Sequence, residues 1–236
     1  MLARRKQMQQ YIAIGTDVDI LNEIGKWKVI ALKGLYQSLN QQRTYTPFTK
    51  QVQMLERAGL VRAFAKKKTK YLVLTNEGRK VSKYNNCYDE NEDFLNHDLH
   101  AANVLRQLLM FENFKDGHMF SDDKEDVDPD AVIRAVRGGR EYTLAIEVEL
   151  TQKSRVRLMG KFSKYGKSQF INHVLYVFNK EAIFESYKKV LAMMDDTVQG
   201  KVILCSDTGL SIERFNYIDS QCWHRMTSKT FEKIFK

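Results

Sequence analysis

Seven residues, Leu144 to Leu150 (LAIEVEL), constrain this chain more than any other segment. The run reads as a strand, in which Glu147 and Glu149, two positions apart, point to the same face. A strand this apolar belongs in a core, and two unpaired carboxylates on one buried face are costly. A divalent cation would relieve their repulsion. Sites built only from carboxylate oxygen suit Mg²⁺ or Mn²⁺ better than zinc.

The flanking sequence supplies a third acid. Pro129-Asp130 precede an alternating segment, Ala131 to Val136, that reads as a strand. Gly138-Gly139 then mark a turn into a return strand over Glu141 to Leu150. Such a hairpin can bring Asp130 to the two glutamates. Downstream, Thr151 is placed to cap a helix from Gln152 to about Tyr165, which puts Lys153 just inside it. His173–Phe178 reads as a buried strand, Glu181–Met194 as a helix and Lys201–Cys205 as another strand. Upstream, apolar residues at 94, 95, 99, 102, 105, 108 and 109 predict an amphipathic helix over Glu92–Phe111. The order predicts a mixed sheet flanked by helices.

The front of the chain has a different pattern. Helical spacing over Asp19–Lys28 and Ile30–Leu39 is followed by Thr46-Pro47, which predicts a helix start with Thr as cap and Pro at the first position. That third helix, Pro47–Arg57, turns Val52 and Leu55 inward and Thr49, Lys50, Gln53 and Arg57 outward. Leu60–Ala65 and Tyr71–Leu74 read as a hairpin with a basic tip of Lys66, Lys67, Lys68 and Lys70. Thr75 is a plausible cap for a short helix. Three helices and a hairpin make a helix-turn-helix with a wing. The string LERAGLVR…YLVLTNEGRKV resembles the winged-helix domains of bacterial DNA-binding proteins. The resemblance implies a third helix in the major groove and wing lysines near phosphates. Against it stand a solvated hairpin tip that discourages aggregation, and the winged helices that bind protein.

Charge supports a polyanionic partner. Residues 1–90 carry 17 Lys/Arg against 7 Asp/Glu, while residues 91–130 carry 3 against 11. A net charge of +9 without a broad-faced basic amphipathic helix favours nucleic acid over a membrane surface. No apolar run spans a bilayer or forms a signal peptide, so no membrane insertion is expected. Three cysteines far apart (Cys87, Cys205, Cys222) form no disulfide framework, and a cytoplasmic location is expected.

Pro129-Asp130 followed by Glu147-Val148-Glu149 resembles the PD-(D/E)xK nuclease superfamily, with Glu149 where that motif usually has lysine. The resemblance implies metal-dependent phosphodiester hydrolysis. Asp130 and Glu147 would hold the cation, Glu149 would orient or deprotonate water, and Lys153 would stabilise the transition state. With the basic winged helix in front, HDLHAANVL, PDAVIRAV and LAIEVELTQKSRVRLMGKFSKY together are similar to the MobC-type relaxases of mobilisable plasmids and to replication-relaxation proteins. That resemblance implies strand-specific nicking at a plasmid transfer origin. The implied partners are an accessory mobilisation protein and a type IV secretion coupling protein. No histidine-hydrophobic-histidine triad is present, so nicking would use carboxylates and metal. The whole chain is therefore expected to be a two-domain α+β or α/β protein. Residues 1–88 would be a winged helix and 89–236 a restriction-endonuclease-like mixed sheet.

Other residues carry two readings. Asp98 near a helix start either favours the helix dipole or assists the metal site, and His97 is either structural or a site contact. Tyr165 is either a packed helix-end residue or a covalent nucleophile. Arg155, Arg157, Lys161, Lys164 and Lys167 either track a DNA backbone or are solvated. The acidic loop Asp122–Asp128 either binds cations or is solvated. A non-catalytic DNA-binding protein that regulates plasmid replication or transcription is the alternative function.

Overall fold

A computed structural model describes residues 11–39, 44–66, 68–86, 92–120 and 127–236. The chain divides into two compact units, Met1–Tyr88 and Asp89–Lys236.

The first unit runs α1 (Thr16–Trp27), β1 (Ile30–Ala31), α2 (Leu32–Ser38), α3 (Tyr45–Arg57), β2 (Val61–Lys66), β3 (Thr69–Leu74) and α4 (Asn76–Val81). The three strands are antiparallel in the order β1-β3-β2. Ile20, Leu21 and Ile24 of α1 and Phe48, Val52 and Leu55 of α3 recur at helical spacing and are fully buried. Two sequence expectations shift. Ile30 and Ala31 pair with Leu72 and Tyr71 as a short strand, so the second helix starts only at Leu32. The third helix starts at Tyr45 behind Thr44, and Thr46-Pro47 lie inside its first turn, where proline's missing N–H breaks no helical bond. Thr75 is a true cap: its Oγ1 accepts from the Gly78 amide.

The second unit runs α5 (Glu92–Leu108), β4 (Phe114–Met119), β5 (Ala131–Arg137), β6 (Arg140–Glu149), α6 (Arg155–Lys167), β7 (His173–Phe178), α7 (Glu181–Leu191), α8 (Asp196–Lys201), β8 (Val202–Ser206), β9 (Gln221–His224), β10 (Thr227–Lys229) and α9 (Phe231–Phe235). Its seven-stranded mixed sheet has the order β10-β9-β8-β7-β6-β5-β4. The central strands β6, β7 and β8 are parallel, and the outer pairings are antiparallel. Parallel neighbours need crossover connections, here α6 and then α7 with α8. Leu158, Phe162 and Tyr165 of α6 pack with Phe184, Tyr187 and Leu191 of α7 over Ala145, Tyr176 and Phe178 of the sheet. Helix α5 packs against β4, β5 and β6. Cys205 and Cys222 face each other directly across β8 and β9, both fully buried and both free thiols.

The helix after the acidic strand begins later than the sequence suggests. Ser154, not Thr151, is its cap, with Oγ accepting from the Arg157 amide. Lys153 therefore lies in the link before α6. Strand β4, which no sequence pattern announces, forms one sheet edge beside β5, and β9, β10 and the short helices α8 and α9 complete the unit.

Candidate active site

The hairpin of β5 and β6 pairs Ala131 with Ile146, and the Asp130 amide donates to the Ile146 carbonyl at 3.0 Å. Beyond Ala131 the first strand departs, and the carboxylate of Asp130 meets the Val148 amide instead, 2.6 Å from Oδ2. This fixes Asp130 beside the strand segment that carries the two glutamates.

Glu147 and Glu149 are each 2% exposed, so both negative charges must be answered from within the protein. They lie beside Tyr176 and Phe178 of the parallel neighbour, on the face covered by α6 and α7. Lys161 Nζ sits 2.6 Å from Glu147 Oε2, and the Tyr165 hydroxyl donates to Glu147 Oε1. Lys161 and Tyr165 are one helical turn apart on α6, so a single face of that helix grips both oxygens of the carboxylate. Burial pushes the Glu147 pKa up to about 7; Lys161 opposes this and the charge of Asp130 adds to it. Burial pulls Lys161 down, but Glu147 and Asp130 outweigh it and hold its pKa above the ordinary lysine value.

Glu149 is held differently. Lys153 Nζ lies 3.0 Å from Oε2. Oε1 is buried beside the Tyr187 hydroxyl, whereas the Tyr176 hydroxyl is buried with no hydrogen-bond partner among the described residues. Burial first, and then the charges of Glu147 and Glu149, raise both phenols well above their usual range.

His97, on α5, reaches the same strand end. Its Nε2 donates to the Val148 carbonyl at 2.8 Å and lies 3.5 Å from Asp130 Oδ2, and its Nδ1 is 3.9 Å from Asp98 Oδ1. Burial lowers its pKa, but Asp130, Asp98 and the Val148 carbonyl together push it up to about 9, so the ring is an imidazolium at neutral pH. The nearby His100 is instead lowered by burial, with Nδ1 2.7 Å from the Asn96 carbonyl.

The expected residues Asp130, Glu147, Glu149, Lys153, His97 and Asp98 thus meet around the end of β6. Sequence reasoning assigned Lys161 to backbone tracking or solvent and missed its pairing with Glu147; it named neither Tyr176 nor Tyr187. Tyr165 is fully buried with its hydroxyl on Glu147, so it offers no nucleophile to a DNA strand in this state. The acidic donor set, carboxylate oxygens of Asp130, Glu147 and Glu149 gathered at one strand end, is the kind a hard divalent cation takes. Among the described residues no three acidic, histidine or cysteine side chains converge on a preformed ion position. The charges answering the acids here are those of Lys153, Lys161 and the His97 imidazolium.

In the first unit, Lys50, Gln53 and Arg57 are exposed along α3, and Thr49 is half-buried with its hydroxyl on the Tyr45 carbonyl. Lys68 is exposed at the hairpin tip and Lys66 half-buried. Lys70 is tied to Glu56 at 2.5 Å. Lys67 lies outside the described residues, as do positions 121–126 of the acidic loop. No described helix is long and apolar enough to cross a membrane.

No protein-family model and no curated protein matches the sequence. Among solved structures, the chain is similar to the restriction endonuclease FokI, with a TM-score of 0.26 and 10% identity over 75% of this chain and 40% of that one. FokI bound to DNA gives a TM-score of 0.24 and 10% identity over 72% and 40%. The chain spans about two fifths of the length of these structures. A likeness this distant decides neither fold nor activity.

Proposed function

We propose that this chain is a divalent-cation-dependent DNA endonuclease guided by a winged helix. The observation that carries the reading is Asp130, Glu147 and Glu149 brought to one strand end with a lysine on each glutamate. Asp130 and Glu147 would hold Mg²⁺ or Mn²⁺, which when bound supplies Lewis-acid polarisation of a phosphodiester. Glu149 would take the proton of the attacking water. Lys153, released from Glu149, would answer the charge that builds on the phosphate. Lys161 and Tyr165 would orient Glu147. In the first unit the helix, strand, two helices and hairpin follow a winged-helix order. Lys50, Gln53 and Arg57, with Thr49, would face the major groove, and Lys66 and Lys68 would meet phosphates. Nicking of one strand at a plasmid transfer origin, in company with mobilisation and secretion-coupling proteins, is the specific form that the sequence resemblance suggests.

The test is relaxation of a supercoiled plasmid carrying a cognate origin. Nicking should require Mg²⁺ or Mn²⁺, and Asp130→Ala and Glu147→Ala should each lower it roughly 100-fold or more while DNA binding persists. Full nicking by both variants would remove the proposed site.

One observation favours a second reading. The glutamates already have ammonium partners, as expected of a DNA-binding regulator whose nuclease centre no longer takes metal. Titration with Mn²⁺ separates the two, since a regulator of this kind shows neither heat nor thermal shift.

A further inference from the structure

The opposite end of β6 carries different chemistry. Gly138 and Gly139 both take left-handed backbone, with φ of 55° and 77°, as a two-residue hairpin turn requires. This tight turn sets Arg137 directly across from Arg140. Like charges facing each other across a hairpin cost stability. Arg137 is anchored, with a guanidinium nitrogen donating to the Ile234 carbonyl at 2.8 Å, and Arg140 is exposed. Beside them opens a cavity of about 260 Å³ whose wall includes Arg137, Arg140, Tyr142, His173 and His224. The one carboxylate in that wall, Glu141, lies 3.4 Å from Arg134.

Tyr142, His173 and His224 form an edge-to-face row, with ring centroids 5.7 and 6.2 Å apart. Burial lowers both imidazoles, and His224, Arg225 and Lys201 add to the effect on His173, as Lys229, Arg225 and Arg137 do on His224. The rings are therefore neutral within a field of fixed cations. His173 Nδ1 is buried and has no hydrogen-bond partner among the described residues. Gly200, whose carbonyl accepts from His224 Nε2 at 3.0 Å, lines a second cavity together with Arg225.

We propose that this end of the sheet binds a nucleotide, with its phosphate between Arg137 and Arg140 and its base against the Tyr142–His173–His224 row. Two arginines at facing strand positions that line one cavity can offer their guanidiniums to one phosphate, and an anion there removes the like-charge cost of the turn. Aromatic rings accept any base face, and a neutral imidazole nitrogen can hydrogen-bond a base edge. The cavity lies below the ~300–1,000 Å³ of drug-sized ligand sites, so it encloses one base and leaves the phosphate on the exposed arginines. Tyr142 is five strand residues from Glu147, roughly 17 Å, so the site is separate from the carboxylates and independent of the nuclease reading.

Calorimetric titration of the full chain with dAMP, deoxyadenosine and inorganic phosphate tests this. One saturable dAMP site per chain is expected, at least about tenfold tighter than either fragment. Arg140→Glu, at an exposed turn position, should weaken dAMP at least about tenfold without lowering the melting temperature, and Glu147→Gln should leave dAMP binding unchanged. Competition by 5′-phosphorylated d(A)3 would assign the phosphate to a strand terminus, and failure to compete would assign it to a free nucleotide; both support the site. No saturation with dAMP, equal affinity for phosphate alone, undiminished binding by Arg140→Glu or loss of binding in Glu147→Gln would overturn it.

Discussion

Both oxygens of Glu147 are taken, one by an ammonium and one by a phenol from successive turns of the same helix. The arrangement has a pH consequence in metal-free protein. Burial pushes the Glu147 pKa up to about 7 in the folded protein, against 4.5 for an exposed glutamate, so the folded state holds more protons between these values. Its contribution to stability is fully present below 4.5 and is lost as pH rises through about 7. His97 acts in the same direction at higher pH: its contribution is present below 6.5 and lost as pH rises through about 9. Urea unfolding in EDTA should therefore show stability falling across both windows, with a slope of at most ~1.4 kcal/mol per pH unit for each proton. Glu147→Gln should flatten the lower window and His97→Gln the upper one. A wild-type profile that is flat between 4.5 and 7 contradicts the buried assignment of Glu147. The carboxylates were legible because two glutamates in LAIEVEL stand out against apolar neighbours. Lys161 was not, because sequence spacing shows that it shares a face with Tyr165 but not which strand that face meets.

At the level of elements, the hairpin and α4 of the first unit are locked by one glycine. A Cβ on Gly78 would stand 2.0 Å from the Leu60 carbonyl oxygen, a backbone atom with little freedom to retreat. The Gly78 amide also takes the Thr75 cap. Gly78→Ala should destabilise the first unit by about 3 kcal/mol or more, at the upper end of overpacking costs. Thr75→Ala should cost about 1 kcal/mol. Chemical denaturation followed by circular dichroism checks both, and equal small losses would contradict the close approach. The same elements show what sequence reveals. Strand β7 was read at its true bounds because VLYVF is continuously apolar and is bracketed by Asn172-His173 and Asn179-Lys180. The start of α6 was misplaced by three residues, since Thr151 and Ser154 are both competent caps and only packing chooses between them. Strand β4 was missed because FKDGHM interrupts its apolar pattern with charges at a sheet edge.

For the whole molecule, the uneven charge was plain from the sequence, with 17 Lys/Arg against 7 Asp/Glu in residues 1–90. If that excess meets DNA phosphates, affinity must fall linearly on a log scale with salt. Lys50→Ala should reduce that slope by about 1 and weaken all sequences alike, whereas Gln53→Ala should change preference among sequences. Fluorescence anisotropy across a salt series measures both, and a salt-independent affinity would remove the polyanion reading. The connectivity of the seven-stranded sheet was only partly legible, because the pairing of β8 with β9 depends on contacts that no local pattern announces. That pairing has a practical outcome. Cys205 and Cys222 are sealed opposite each other, and the neighbouring Cys205 thiol, then burial, hold the Cys222 thiol protonated. An alkylating reagent can reach this pair only when the two strands part, so its rate of uptake there times the breathing of the sheet rather than the chemistry of sulfur.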